Sequence, residues 1–236
     1  MNLLKAYWQH SKSPFYSLLF TLPLLICYEI LIFNLNHSDI LGMRNGADIL
    51  FRQFFAMFNI YGFYIVGFLV LTSLIVSYYF HSRRNISKPF HLQFFVLMFL
   101  ESLVFAMLMF VFIDKIGDYL ITIGTVPGKK EMIVLALGAG VYEEFIFRVI
   151  LVSGFLFFLK DILRLQPHLS AILAMISASL IFSLFHYLGS YGEVVEIRSF
   201  LIRFGAGMFL SLLFVLRGYG ITAYTHTLYD LLVILI

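Results

Sequence analysis

Three short stretches hold residue types that apolar segments do not normally carry. Tyr142-Glu143-Glu144-Phe145-Ile146-Phe147-Arg148 sets two adjacent carboxylates and an arginine inside a hydrophobic run. His186 follows Phe182 in IFSLFHYLG, and His226 precedes Asp230 in THTLYDLL. In a bilayer each such charge costs about 2.5–3.5 kcal/mol at mid-membrane, so a helix that only packs gains nothing from them. Glu144 and Arg148 stand at i and i+4, as do His226 and Asp230, and residues so spaced share a helix face. A buried ion-pair network of that kind accounts for Arg148 and one glutamate, and leaves a second glutamate and two histidines unexplained. Neighbours on a helix point about 100° apart, so Glu143 and Glu144 face different partners. With Arg148 on Glu144, Glu143 is the carboxyl left in apolar surroundings. That suits a general base or acid, especially if a histidine shares the same water.

The elements that position these groups are membrane helices. The 236 residues are 61% hydrophobic and 12% charged, with 28 phenylalanines, where soluble domains carry about 25% charged residues. That composition excludes a soluble globular fold. No linker or repeat divides the chain, and the expectation is an all-α polytopic transmembrane bundle forming one membrane-embedded domain over 1–236. A span takes about 20 mostly apolar residues. Segments of that kind run from Phe15 to Phe33, Tyr61 to Phe80, Leu92 to Ile113, Glu131 to Lys160, His168 to Leu188, Ser199 to Leu216 and Ile221 to Ile236. The fourth is too long for one upright helix and contains Gly138 and Gly140, so it is strongly tilted or broken in two. The count is therefore seven helices, or eight. Phe51, Phe54, Phe55 and Phe58 recur at helical spacing and point to a helix lying along the interface.

The remaining charges fall in connections and read as solvated, among them Arg44, Arg52, Lys88, Arg84 and Arg217; their distribution favours an inside amino terminus only weakly. Arg203, a few residues into its span, reads as a snorkelling side chain. Scattered basic residues and a net charge of +3 give no nucleic-acid surface. Cys27, the single cysteine, sits in an apolar run and reads as packing or lipid contact. Tyr142, Tyr187, Tyr224 and Tyr229 beside the motifs read as packing or interface residues. Gly205 and Gly207 read as points of close helix approach.

Other intramembrane peptidase signatures are missing. There is no HExxH. GxGD is approached only by Lys115-Ile116-Gly117-Asp118, and GxSG only by Leu151-Val152-Ser153-Gly154. What remains is glutamate and histidine. Glu143-Glu144-x-x-x-Arg148, Phe182-x-x-x-His186 and His226-x-x-x-Asp230, in that order and each on its own hydrophobic segment, resemble the three motifs of the CPBP family. These are the CAAX proteases and bacteriocin-processing, or Abi, proteins, which are intramembrane glutamic endopeptidases. The likeness covers about 131–236; residues 1–130 add nothing to it beyond apolar spans.

The resemblance implies an active-site cavity within the membrane and hydrolysis of a lipidated or membrane-anchored peptide in a multi-pass protein, in a prokaryotic plasma membrane. It implies that Glu143 and His186 activate water, that His226 and Asp230 steady the oxyanion, and that Glu144 and Arg148 support the site. An ionised Asp230 repels an oxyanion where Asn would donate to it, so Asp230 is expected to act by orienting His226. No cofactor is expected; two His and two Glu are zinc-ligand types, but their spacing matches no familiar zinc motif. Two other functions suit the same scaffold: a non-enzymatic membrane immunity or partner-binding protein, and a proton-coupled transporter using Glu and His as a relay. An intact motif set favours the endopeptidase over the former, and the lack of an internal repeat disfavours the latter.

Overall fold

The computed structural model describes residues 3–34, 44–60, 64–83, 91–116, 128–188 and 194–235, and within them the chain is helical with no strand. The basic turn bearing Arg84 and Lys88 lies outside the described residues, as do Gly117 and Asp118. In chain order the helices are α1 (Leu3–Ser11), α2 (Pro14–Asn34), α3 (Gly46–Ala56), α4 (Tyr64–Arg83), α5 (Leu92–Ile116) and α6 (Lys129–Gly138). After α6 the helix continues without interruption through α7 (Ser153–Leu156), and α8 (Pro167–Phe185), α9 (Ile197–Arg217) and α10 (Tyr219–Leu235) follow.

Four of these, α2, α5 up to Ile113, α8 and α9, are long and apolar enough to cross a bilayer. Their outer faces carry exposed Ile30, Leu97, Val104, Leu108, Ile172 and Leu212. Water would penalise such surfaces, whereas lipid accepts them. The protein is a helical membrane bundle. The two elements that bear most of the motif charges fall outside those four, because α10 has 17 residues and the α6 to α7 helix is loaded with ionisable groups.

Local signals set the ends. Asn45 caps α3, its Oδ1 accepting from the Ala47 amide at 2.8 Å. Glu131 reaches back to the Gly128 amide at 2.8 Å at the start of α6. Pro167 opens α8. Gly218, at φ 82°, stops α9 in a conformation that L side chains avoid.

The long fourth segment is not split: it is helical from Lys129 to Ile162 without a gap. From Ala139 to Glu143, Phe145 to Val152 and Phe157 to Ile162 it is wound as a π-helix. Such wide turns are rare and concentrate at functional sites. Its two glycines are contact points. A Cβ on Gly140 would lie 1.9 Å from Thr227 Oγ1 and 2.6 Å from the Ala223 carbonyl of α10, and one on Gly138 would lie 2.7 Å from both Asn45 Cβ and Tyr28 Cε2. Helix α10 is the hub, packed against α2, α5, α6, α9 and the first π-wound stretch. A Cβ on Gly207 of α9 would likewise lie 3.1 Å from Ser179 Cβ on α8.

One expectation needs correcting. Arg44 and Arg217 are not solvated: they are 4% and 1% exposed and pair with the half-buried carboxylates of Glu29 and Glu101. The Phe-rich stretch forms a helix that ends at Ala56, with Phe54 and Phe58 exposed, while Phe51 turns inward onto Tyr142.

Candidate active site

The π-wound stretch, the end of α8 and the middle of α10 bring the three motifs together. Glu143 is 6% exposed, Glu144 0%, Arg148 1% and His226 6%. His186 is half-buried as the residue that caps α8, and Asp230 is half-buried one turn beyond His226.

Glu144 is held from two sides. Its Oε1 lies 2.7 Å from His226 Nδ1, and its Oε2 lies 3.1 Å from Arg148 Nε, an i,i+4 ion pair. A carboxylate oxygen accepts, so His226 Nδ1 donates. The orienting partner of His226 is therefore Glu144. Asp230 Oδ2 stands 3.6 Å from His226 Nε2, beyond hydrogen-bond range, and acts on it through charge alone.

His186 Nδ1 lies 2.9 Å from the Phe182 carbonyl oxygen. A carbonyl only accepts, so Nδ1 carries the proton and a neutral ring keeps Nε2 as an acceptor. Phe182, the aromatic of that motif, holds several members at once. Its ring packs edge-on to His186 at 4.9 Å and to His226 at 6.2 Å between centroids, and the Arg148 guanidinium carbon sits 4.5 Å from its centre. The cation over the ring face offsets part of the cost of burying Arg148.

Glu143 interacts electrostatically with His186, His226 and Arg148. One of its oxygens, Oε1, accepts from Asn45 Nδ2 at 2.8 Å. The other, Oε2, is buried and without a hydrogen-bond partner among the described residues. Asn45 belongs to the amino-terminal half, and reasoning from the sequence missed it. The signal lay in the charged run Arg44-Asn45-x-x-Asp48-x-x-x-Arg52, dense for so apolar a chain. That run is the core of a buried lattice. Arg44 donates to Asp48 at 2.5 Å and to Glu29 at 3.1 Å, Arg52 donates to Asp48 at 2.7 Å and to Glu29 at 2.9 Å, and Tyr28 and Tyr142 donate to Asp48 and Glu29 at 2.9 and 3.2 Å.

The histidine and carboxylate donors are not set out as a metal cage. No three His, Cys, Asp or Glu side chains among the described residues are gathered as around an ion. Arg203 donates to Ser199 Oγ at 2.6 Å and lies over the Tyr187 ring, on the His186 side of the site. Tyr142 and Tyr224 pack inward, Tyr224 stacking on Phe20 at 4.0 Å. An apolar groove runs beside the motif between α2, α3 and α4, walled by Leu22, Leu25, Phe51, Val70, Tyr142 and Phe145.

The arrangement is thus two carboxylates with separate partners, one histidine with its Nδ1 on a backbone carbonyl and one histidine clamped by a carboxylate. Residues 130–232 match the family model described as Type II CAAX prenyl endopeptidase Rce1-like, in agreement with the likeness of the three motifs. No curated protein and no solved structure matches the chain.

Proposed function

We propose that this chain, of the Rce1-like CAAX endopeptidase family over residues 130–232, is an intramembrane endopeptidase that hydrolyses its peptide with a water activated by Glu143 and His186. The observation that carries this reading is the difference between the two adjacent glutamates. Glu144 is bound by His226 and Arg148, while Glu143 keeps Oε2 without a hydrogen-bond partner among the described residues, in a site that also contains the His186 acceptor.

Water between Glu143 Oε2 and His186 Nε2 gives up a proton as it attacks the scissile carbonyl, and the same pair returns a proton to the leaving amine. His226, fixed by Glu144, and Arg148 supply positive charge near the developing oxyanion. On this reading Glu143 and His186 activate the water themselves, and the reaction needs no metal. The neighbouring groove is apolar and its wall includes Tyr142 and Phe145, on either side of the glutamate pair. It favours a substrate whose lipid or membrane-embedded portion lies alongside the scissile bond.

The test compares membranes carrying the wild-type chain or Glu143→Ala by terminal proteomics, with exhaustive chelation as a further arm. Peptide ends that appear only with wild type, and persist under chelation, are expected. Identical ends in both membranes would overturn the protease, and ends lost on chelation would overturn the metal-free mechanism.

A further inference from the structure

We infer that Asn45 is a positioning residue for Glu143, and that the lattice of buried Arg44 and Asp48 with half-buried Arg52 and Glu29 exists to hold its amide in place. The inference rests on the assignment of Glu143 as the base, and extends the site into the half of the chain outside the family match.

Three features support it. The amide of Asn45 has one orientation: its Oδ1 accepts the Ala47 backbone N–H at 2.8 Å, so Nδ2 is the end that faces Glu143, 2.8 Å from Oε1. A flipped amide would set an oxygen against a carboxylate and an N–H against an N–H. The backbone of Asn45 is pinned as well. Its N–H donates to Tyr28 Oη at 3.1 Å, Tyr28 in turn donates to Asp48, and Asp48 is held by Arg44 and Arg52. Finally, the partner helix is cut away to admit it, because Gly138 lacks the Cβ that would collide with both Asn45 and Tyr28.

The consequence is directional. A glutamate side chain has three rotatable bonds, and a buried one with no partner samples several rotamers. Binding Oε1 fixes the carboxylate plane and leaves Oε2 as the oxygen for water. A neutral N–H donor does this without adding a charge beside Arg148. An error of about 1 Å in such a group costs on the order of a hundredfold in rate.

Asn45→Ser and Asn45→Asp separate this role from helix capping, since both keep a good N-cap acceptor and both lose the N–H donor. Each is expected to lower kcat by about a hundredfold with KM near wild type; the thermal midpoint falls modestly in Asn45→Ser, which leaves Glu143 Oε1 without its donor, and further in Asn45→Asp, which sets a second carboxylate against it. On a Glu143→Gln background, Asn45→Ser is expected to add nothing further. A second readout needs no turnover. In protein carrying labelled glutamate, the infrared carboxylate band that disappears in Glu143→Gln should move in Asn45→Ser. Wild-type kcat with an unmoved band would overturn the inference. If the wild type cleaves no better than Glu143→Ala, the protease reading fails, and the band still decides whether Asn45 sets the Glu143 carboxylate.

Discussion

Two buried clusters in this protein use the same residue types and end in different states. At one, Glu101 of α5 receives Arg217 through Nε and Nη2 and also the hydroxyl of Tyr7, Ser11 accepts from Arg217 Nη2 at 2.9 Å, and the guanidinium lies 3.9 Å from the Trp8 ring centre. Both oxygens of Glu101 are taken. At the other, Glu143 Oε2 has no hydrogen-bond partner, and neither Glu144 Oε2 nor any nitrogen of Arg148 makes a well-aligned hydrogen bond among the described residues. A buried polar atom left in that state costs about 1–3 kcal/mol. The first cluster ties α1 to α5 and α9. The second leaves polar capacity open where water and a peptide group could use it. Burial of charge alone therefore does not distinguish a site from a staple. The state of the carboxylate does: among the described residues Arg217 Nη1 also lacks a hydrogen-bond partner, but both Glu101 oxygens are bonded, whereas Glu143 keeps one open.

The staple gives the largest expected effect. Arg217→Ala leaves Glu101 with no cation, and breaking a buried pair costs about 3–5 kcal/mol. Detergent-solubilised protein should unfold at markedly lower temperature, while the kcat of the folded fraction stays near wild type. Replacing both partners, Glu101→Leu with Arg217→Met, should restore most of the loss. A fall in kcat at unchanged stability would break the distinction between the clusters.

Glu144→Gln makes the converse change inside the site. It keeps an acceptor for His226 Nδ1 but removes the charge opposite Arg148. A kcat loss of about a hundredfold, about 2.7 kcal/mol of barrier, is expected with a small change in KM. Full activity would show that Arg148 needs no counter-charge and that the ion pair is structural.

Packing between the two helices that carry the clusters' neighbours is the next lever. Gly140→Ala drives a methyl toward Thr227 Oγ1 and the Ala223 carbonyl. Overpacking of this kind costs about 1–3 kcal/mol. Because α10 carries His226, activity should fall with stability. Thr227→Ala should rescue it only in part, since the clash with the Ala223 backbone remains. Wild-type behaviour of Gly140→Ala would mean that the two helices separate without harm to the site.

Much of the architecture was legible because the bilayer imposes one rule, a long apolar run for each span. The segments expected at Phe15–Phe33, Leu92–Ile113 and Ser199–Leu216 differ from the observed helices by at most three residues at either end. The motif residues stood out because lipid penalises them. Helix α1 was missed since nine residues with Lys5, Gln9 and His10 carry no span signal. The π-winding was missed because it depends on how a chain packs, and no residue type announces it. Arg44 and Arg217 were misread because a charge at the end of a span looks the same whether it meets water or a carboxylate from a distant segment. Asn45 was passed over for a related reason: its partner lies 98 positions away, and the charges beside it stand out in the sequence while the neutral amide itself does not.

Asp230 offers the smallest effect and the sharpest discrimination. The sequence assigns it the task of orienting His226, yet Glu144 lies 2.7 Å from one imidazole nitrogen while Asp230 lies 3.6 Å from the other, with its side chain 27% exposed. At that distance and exposure its influence is Coulombic and partly screened. Asp230→Asn keeps the volume and removes the charge, and the amide can donate to an oxyanion. These effects oppose each other, so kcat should change by less than about tenfold, under about 1.4 kcal/mol. A loss as deep as that of Glu144→Gln would transfer the orienting role to Asp230, and would mean that the 3.6 Å gap closes when a peptide is bound.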